Sequence, residues 1–257
     1  MNYRNTEVVV NSSTLVLSLE TATIGGSICV ARGSDALAAR AGDSKVSHSN
    51  SLLSDISECL RAAGLPLADI QLFACASGPG SFTGLRIGIA TLKALAATLD
   101  RPCVGVPTLN AIAQSAGESN ATVALLPAGR GEVFAQMFSV SAGELVELDA
   151  AAHLSPAKLI ERYREFGNLV WTGPGAVVHR PLLQDYAEQR GITFVERTPE
   201  TGVDSSGWQI ATSETSLAES VSVLALRLFT AGQLQTAESL RANYVRPSDA
   251  EINQAWQ

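Results

Sequence analysis

The stretch of this chain best suited by residue type and spacing to hold a ligand is Ser77-Gly78-Pro79-Gly80-Ser81-Phe82-Thr83-Gly84-Leu85-Arg86. It joins an apolar run, Ile70 to Ala76, which reads as a buried strand, to a second one, Ile87 to Leu99, which reads as a helix. Glycines in such a turn admit positive φ or a close approach of another group. The N–H groups at a helix start attract anions. Gly78, Gly80, Ser81 and Gly84 are therefore a candidate nucleotide or anion loop, and a tight turn needed only for packing is the competing reading. The spacing matches neither Gly-x-Gly-x-x-Gly nor a phosphate loop with a Lys-Ser/Thr pair.

Other reactive residues give weaker signals. Glu20, closing an apolar strand, has two readings: a ligand for magnesium, or a cap on its own turn through Thr21 or Thr23. His48, His153 and His179 lie far apart without ligand spacing, so no metal site is assigned. Ser77, Ser81 and Thr83 lack the Gly-x-Ser-x-Gly elbow of a nucleophilic serine, and no catalytic residue is assigned. Asp55 and Glu58 fall on the polar side of a helix, where a solvated face is the default. Cys29, Cys59, Cys75 and Cys103 sit singly in apolar surroundings, which predicts buried reduced thiols.

The elements that must position these residues alternate regularly. Thr14 to Leu19, Ser27 to Ala31 and Ala36 to Ala41 predict three strands. A helix follows over Ser49 to Ala63, with Leu52, Leu53, Ile56, Cys59, Leu60 and Ala63 as its apolar stripe. Then come the strand, glycine turn and helix already named, a strand over Cys103 to Val106, and a short helix from Leu109 to Ala116. Gly117 to Asn120 reads as a linker. The second half repeats the order: strands over Ala121 to Leu126, Glu132 to Val140 and Glu144 to Ala150, then a helix over Pro156 to Glu165. A strand over Leu169 to Thr172, a second glycine turn at Gly173-Pro174-Gly175 and a helix over Val177 to Gln189 follow. Ile192 to Val195 reads as the last strand and Leu217 to Thr230 as the last helix.

Each half thus reads β-β-β-α-β-α-β-α. Two such α/β halves describe two ribonuclease-H-like lobes in an actin-like (ASKHA) arrangement, whose cleft usually holds a nucleotide. The expected division is a flexible extension over 1–13, a first lobe over 14–116 and a second over 117–257, whose last helix and tail are placed to pack back on the first. With 257 residues and 46% apolar content, the chain can bury a full core. A net charge of −7 without a basic run argues against independent nucleic-acid binding. Residues 1–13 lack a signal peptide's apolar region, and no uninterrupted span of about 18 apolar residues exists to cross a membrane, so a cytoplasmic protein is expected.

The strings Leu17-Ser18-Leu19-Glu20-Thr21-Ala22-Thr23, His48 to Leu53, Ser77 to Gly88 and Gly105 to Leu109 resemble the TsaB family, bacterial subunits that support threonylcarbamoyl-adenosine synthesis in tRNA. Gly131 to Phe134 and Tyr244-Val245-Arg246-Pro247-Ser248 look like its later landmarks. Two positions depart from the family pattern, which usually has Asp where this chain has Glu20 and Pro127. The related catalytic subunit TsaD holds a metal with a His-x-x-x-His pair after a Gly-Val dipeptide. That pattern falls here on Thr108 and Ile112, neither of which replaces an imidazole. The resemblance implies a non-catalytic scaffold that binds TsaD and, with the ATPase TsaE, supports modification of adenosine 37. It implies a homodimer when TsaD is absent, and contact with tRNA only through the complex. It places the partner interface on the first two helices, at Leu52, Leu53, Ile56, Leu60, Leu85, Ile89, Ala90 and Ala94. It implies no cofactor, with weak nucleotide binding left open. A stand-alone metallopeptidase-like or nucleotide-hydrolysing enzyme is the alternative.

Overall fold

The computed structural model describes residues 13–43, 48–198, 206–212 and 216–245, and only the backbone of 48–50. The expected N-terminal extension lies outside them, apart from residue 13. The first half forms β1 (Leu15–Glu20), β2 (Ser27–Arg32), β3 (Asp35–Ala41), α1 (His48–Ala63), β4 (Leu72–Gly78), α2 (Phe82–Thr98), β5 (Cys103–Pro107) and α3 (Thr108–Ser115). The second forms β6 (Ser119–Gly129), β7 (Glu132–Ser141), β8 (Glu144–Glu147), β9 (Ala152–Leu154), α4 (Pro156–Tyr163), β10 (Leu169–Thr172), α5 (Pro174–Val178) and α6 (Arg180–Arg190). β11 (Phe194–Glu196), β12 (Trp208–Ala211) and α7 (Leu217–Thr230) complete it.

The first sheet has the order β3-β2-β1-β4-β5, with β2 antiparallel and β4 parallel to β1. The second has β11-β12-β10-β6-β7-β8, with β9 added beside β7. A hairpin meander followed by parallel crossovers is the two-lobed, actin-like α/β plan read from the sequence. Among the described residues no helix is long and apolar enough to cross a membrane. All four cysteines are buried and free, and burial pushes the Cys29 and Cys75 thiols up to about 12.

Several boundaries differ from the sequence reading. The strand expected from Ile70 starts at Leu72, because Leu67–Asp69 makes a 3-10 turn. The helix expected from Ile87 starts five residues earlier, at Phe82, where the Ser81 Oγ accepts the Gly84 N–H and caps it. The supposed linker enters β6, where Ser119 pairs with Val140. The helix expected over Val177 to Gln189 breaks at His179, since Pro181 brings no N–H and its ring would clash with the carbonyl of Val177. The third strand of the second half, expected to reach Ala150, stops at Glu147 as β8, and a separate short strand, β9, follows at Ala152. The strand expected to be last, β11, lies at the sheet edge, while the four-residue β12 takes the inner place beside β10. Trp208 explains that place: it is fully buried, 4.9 Å from Trp171 and 5.6 Å from Tyr186 between ring centroids.

The helices cover the sheets unevenly with respect to chain order. α1 and α2 pack on one face of the first sheet, over Leu17, Leu19, Ile28 and Phe73. Its other face, with Val16, Leu72, Ala74 and Val104, is covered by Val221, Leu224, Ala225 and Phe229 of α7. In return α3 places Leu109, Ile112 and Ala113 against Ala124, Leu126 and Phe138 of the second sheet. Buried hydrogen bonds fasten the start of α7 to the first sheet: Ser18 Oγ donates to Ala218 O at 2.8 Å and Ala218 N to Ser27 Oγ at 3.0 Å. After α7 the tail returns along β5, exchanging two backbone bonds between Gln235 and Cys103, and buries Leu240. It reaches the glycine turn, where Asn243 N donates to Ser77 O at 2.6 Å.

Candidate functional site in the interlobe cleft

The glycine turn is narrower than its sequence suggests. Gly78 has φ +117 and is followed by a cis bond to Pro79. Its N–H donates to Thr108 Oγ1 at 3.2 Å, and a Cβ on it would run into the Asn243 carbonyl of the tail. A Cβ on Gly80 would come within 2.6 Å of the Ala22 Cβ, and Ser81 N donates to Ala22 O at 2.8 Å. Gly84 and Gly88, inside α2, abut the carbonyl and the hydroxyl of Thr21. The Gly84 N–H is taken by Ser81. Each glycine of the candidate anion loop is thus required by a neighbour, which favours the packing reading.

Glu20 is buried at the end of β1, and its carboxylate accepts Thr23 N at 2.7 Å and Thr23 Oγ1 at 2.6 Å. The capping reading of this residue is the one the geometry supports. Glu20→Gln keeps the shape but replaces one of the two accepting carboxylate oxygens with an amide donor and removes the charge from both bonds to Thr23. It should cost about 1–3 kcal/mol of stability, read by chemical denaturation.

The two positions aligned with a metal pair are filled otherwise. Thr108 is fully buried with its hydroxyl accepting the Gly78 N–H, and Ile112 packs into the second lobe's core against the Gly173 turn. Of the histidines, His153 pairs with Glu132 at 2.9 Å, His179 marks the α5–α6 break, and the side chain of His48 lies outside the described residues. Asp55 and Glu58 do not merely face solvent: both meet Arg40 of β3, at 3.0 and 2.7 Å.

Between the lobes runs a cleft of about 910 Å³. One wall comes from the β1–β2 turn, the glycine turn and the start of α2; the other from the β6–β7 turn and Pro174. Phe82, Arg86 and the tail's Tyr244 form a group at its edge, with ring centroids 5.3 Å apart and the Arg86 guanidinium carbon 3.8 Å above the Phe82 ring. Sequence reasoning missed this group. The i, i+4 spacing of Phe82 and Arg86 at a helix start was its only local signal, and Tyr244 arrives from 158 residues downstream of Arg86.

The expected partner patch divides. Leu52, Ile56, Leu60, Leu85 and Ile89 are buried among the chain's own core residues. As contact residues these five are corrected: the α1 stripe faces its own sheet, as most amphipathic helices do. Leu53, 65% exposed, stands on the outer face of α1, and Ala90 and Ala94 are exposed on α2.

A family model described as "TsaD: tRNA N6-adenosine threonylcarbamoyltransferase" matches residues 43–222. The chain belongs to the TsaD family. The resemblance to TsaB also holds. The TsaB protein of Escherichia coli K12 is 39% identical over 90 residues, 34% of this chain and 39% of that protein. The Bacillus subtilis TsaB is 24% identical over 179 residues, 69% of this chain and 78% of that protein. The first of these matches thus spans under two-fifths of its relative's length. Among solved structures, YeaZ from Pseudomonas aeruginosa superposes with TM-score 0.66 at 24% identity, covering 90% of this chain and 99% of that one. At that identity the likeness concerns the fold. For this TsaD-family chain the expected Asp positions now have structural contexts: Glu20 is tied to Thr23, and Pro127 lines the cleft without charge.

Proposed function

We propose that the chain is a non-catalytic subunit that supports formation of N6-threonylcarbamoyladenosine at adenosine 37 of tRNA, acting through the TsaD catalytic subunit together with the ATPase TsaE. The observation that carries this reading is the occupation of the metal-pair positions: the Thr108 hydroxyl is held by the Gly78 N–H, and Ile112 offers carbon alone to a packed core. Neither site can gain an imidazole's role by a side-chain rotation. The commitment of Glu20 to Thr23 and of the loop glycines to their neighbours argues in the same direction, against an enzyme that uses nucleotide or metal.

The partner would dock on the outer faces of α1 and α2, with Leu53 as the apolar anchor and Ala90 and Ala94 allowing a close approach of a facing helix. The buried Leu52, Ile56, Leu60, Leu85 and Ile89 hold those helices to the sheet beneath. Without TsaD the same patch would pair with a second copy, an isologous contact that closes as a dimer. tRNA would be reached only through the complex.

Reconstitution tests the reading. The purified chain alone should modify no tRNA, and adding it to TsaD and TsaE should raise product formation. Modification by the chain alone would overturn the proposal. Leu53→Asp should lower co-purification with TsaD and self-association at least tenfold, since an unpaired carboxylate would be buried in the contact. Undiminished co-purification would remove Leu53 from the interface.

A further inference from the structure

We propose that the interlobe cleft binds a singly charged anion carried on a flat aromatic body, with Arg86 taking the charge beside Phe82 and Tyr244. The cleft's volume, about 910 Å³, lies in the range of small-molecule sites, roughly 300–1,000 Å³. Among the described residues that line it, Arg86 carries the only charge. Among the described lining residues there is no carboxylate, and Glu20, close by in the chain, is tied to Thr23. A nucleoside triphosphate with magnesium would need carboxylates for the metal and several cations for the phosphates, and the described lining offers neither.

Arg86 is positioned but not neutralised. Its guanidinium lies on the Phe82 ring at 3.8 Å and its Nε sits 3.5 Å from the Tyr244 hydroxyl. Unlike Arg40, Arg162, Arg164 and Arg180, it has no carboxylate partner among the described residues. Its terminal amino groups meet no acceptor among them either, which leaves a planar fork for a carboxylate or sulfonate. Around that fork the described lining is mostly apolar, with Thr23, Ser81 and Asn243 as neutral polar residues. Phe82 and Tyr244 are part-exposed rings, and Ile24 is 87% exposed in a place where solvent contact is unfavourable. Pro127, Ala128 and Pro174 close the far side without a polar side chain. One cation among mainly aromatic and aliphatic surface, with only neutral polar groups beside it, selects one negative charge on a flat, largely apolar body.

N6-threonylcarbamoyladenosine, a purine with one carboxylate, belongs to this chemical class, and naming it rests on the proposed function above. The experiment uses the full chain and isothermal titration with four probes: 1-anilinonaphthalene-8-sulfonate, the threonylcarbamoylated nucleoside, adenosine, and ATP with magnesium. The sulfonate and the carboxylated nucleoside should bind, with adenosine and ATP at least tenfold weaker. Arg86→Ala should weaken both anions at least tenfold at an unchanged unfolding temperature, and Arg86→Lys should recover part of the loss. If the sulfonate alone depends on Arg86, the site stands and the named nucleoside is overturned. If neither anion depends on Arg86, or if ATP with magnesium binds more tightly than both, the proposal is overturned. Retained TsaD co-purification in Arg86→Ala keeps this outcome separate from that of the scaffold reading.

Discussion

Ile56→Asp should unfold the chain, whereas Leu53→Asp, one turn away on the same helix, should leave its stability within about 0.5 kcal/mol. Both positions belong to the apolar stripe of α1, and the sequence alone treats them as equivalent. In the structure Ile56 is 4% exposed, packed among residues of the first sheet and α2, while Leu53 points outward. Removing the isoleucine's buried methyl groups costs roughly 2–5 kcal/mol, and an unpaired carboxylate in their place adds several more. That sum rivals the entire stability of an ordinary domain, about 5–15 kcal/mol. Urea denaturation followed by tryptophan fluorescence would measure it. Equal midpoints for the two variants would show that α1 does not pack as described. The pair also sets the condition for any interface experiment: loss of partner binding in Ile56→Asp would report unfolding, and only Leu53→Asp can report contact.

Gly84→Ala should destabilise by about 2 kcal/mol or more, against the helix preference of the residue introduced. Alanine in place of a helical glycine ordinarily gains about 1 kcal/mol. Here a Cβ would collide with the backbone carbonyl of Thr21, and backbone cannot swing aside as a side-chain tip can. Overpacking of this kind costs roughly 1–3 kcal/mol and occasionally more. Either the β1–β2 turn shifts, disturbing the Glu20–Thr23 bonds beside it, or α2 moves off its sheet. Gly167→Ala is the control, since a Cβ there meets nothing within 4 Å. Thermal unfolding of the two variants should differ in midpoint, with Gly84→Ala well below the control. A rise for Gly84→Ala would mean that the contact between α2 and Thr21 is looser than it stands.

The first half was largely legible in the sequence because each of its elements has a strong local cause. β1 and β4 are mostly apolar, α1 has a clean stripe, and the glycine turn punctuates strand from helix. The second half was less so because its elements are short and defined by partners. β12 has four residues and owes its inner position to Trp208 meeting Trp171, a contact 37 residues distant in sequence. β9 has three and exists by pairing with β7. The break at His179 was readable from Pro181, but the apolar pattern on both sides ran through it. At the site, the sequence marked the glycines and not their purpose. That purpose lies with Thr21, Ala22 and Asn243, which approach from the start and the end of the chain. The cleft's aromatic group was hidden for the same reason, since Tyr244 joins Phe82 only through the returning tail.

The placement of α7 on the first sheet also constrains how this protein is made. A nascent chain reaches residue 116 with every strand of the first sheet already synthesised, yet one face, bearing Val16, Leu72, Ala74 and Val104, lacks its main cover, with only Leu85 and Ala111 beside it. Its cover ends at Phe229, more than a hundred residues later. At translation rates of about 5–20 residues per second, that face stays open on the ribosome for on the order of ten seconds. During that interval α3 offers that face only Ala111, its other apolar residues belonging against the second sheet. The first lobe is therefore the first to be written and among the last to be finished. Synthesis of α7, rather than completion of the first half, allows the final packing step.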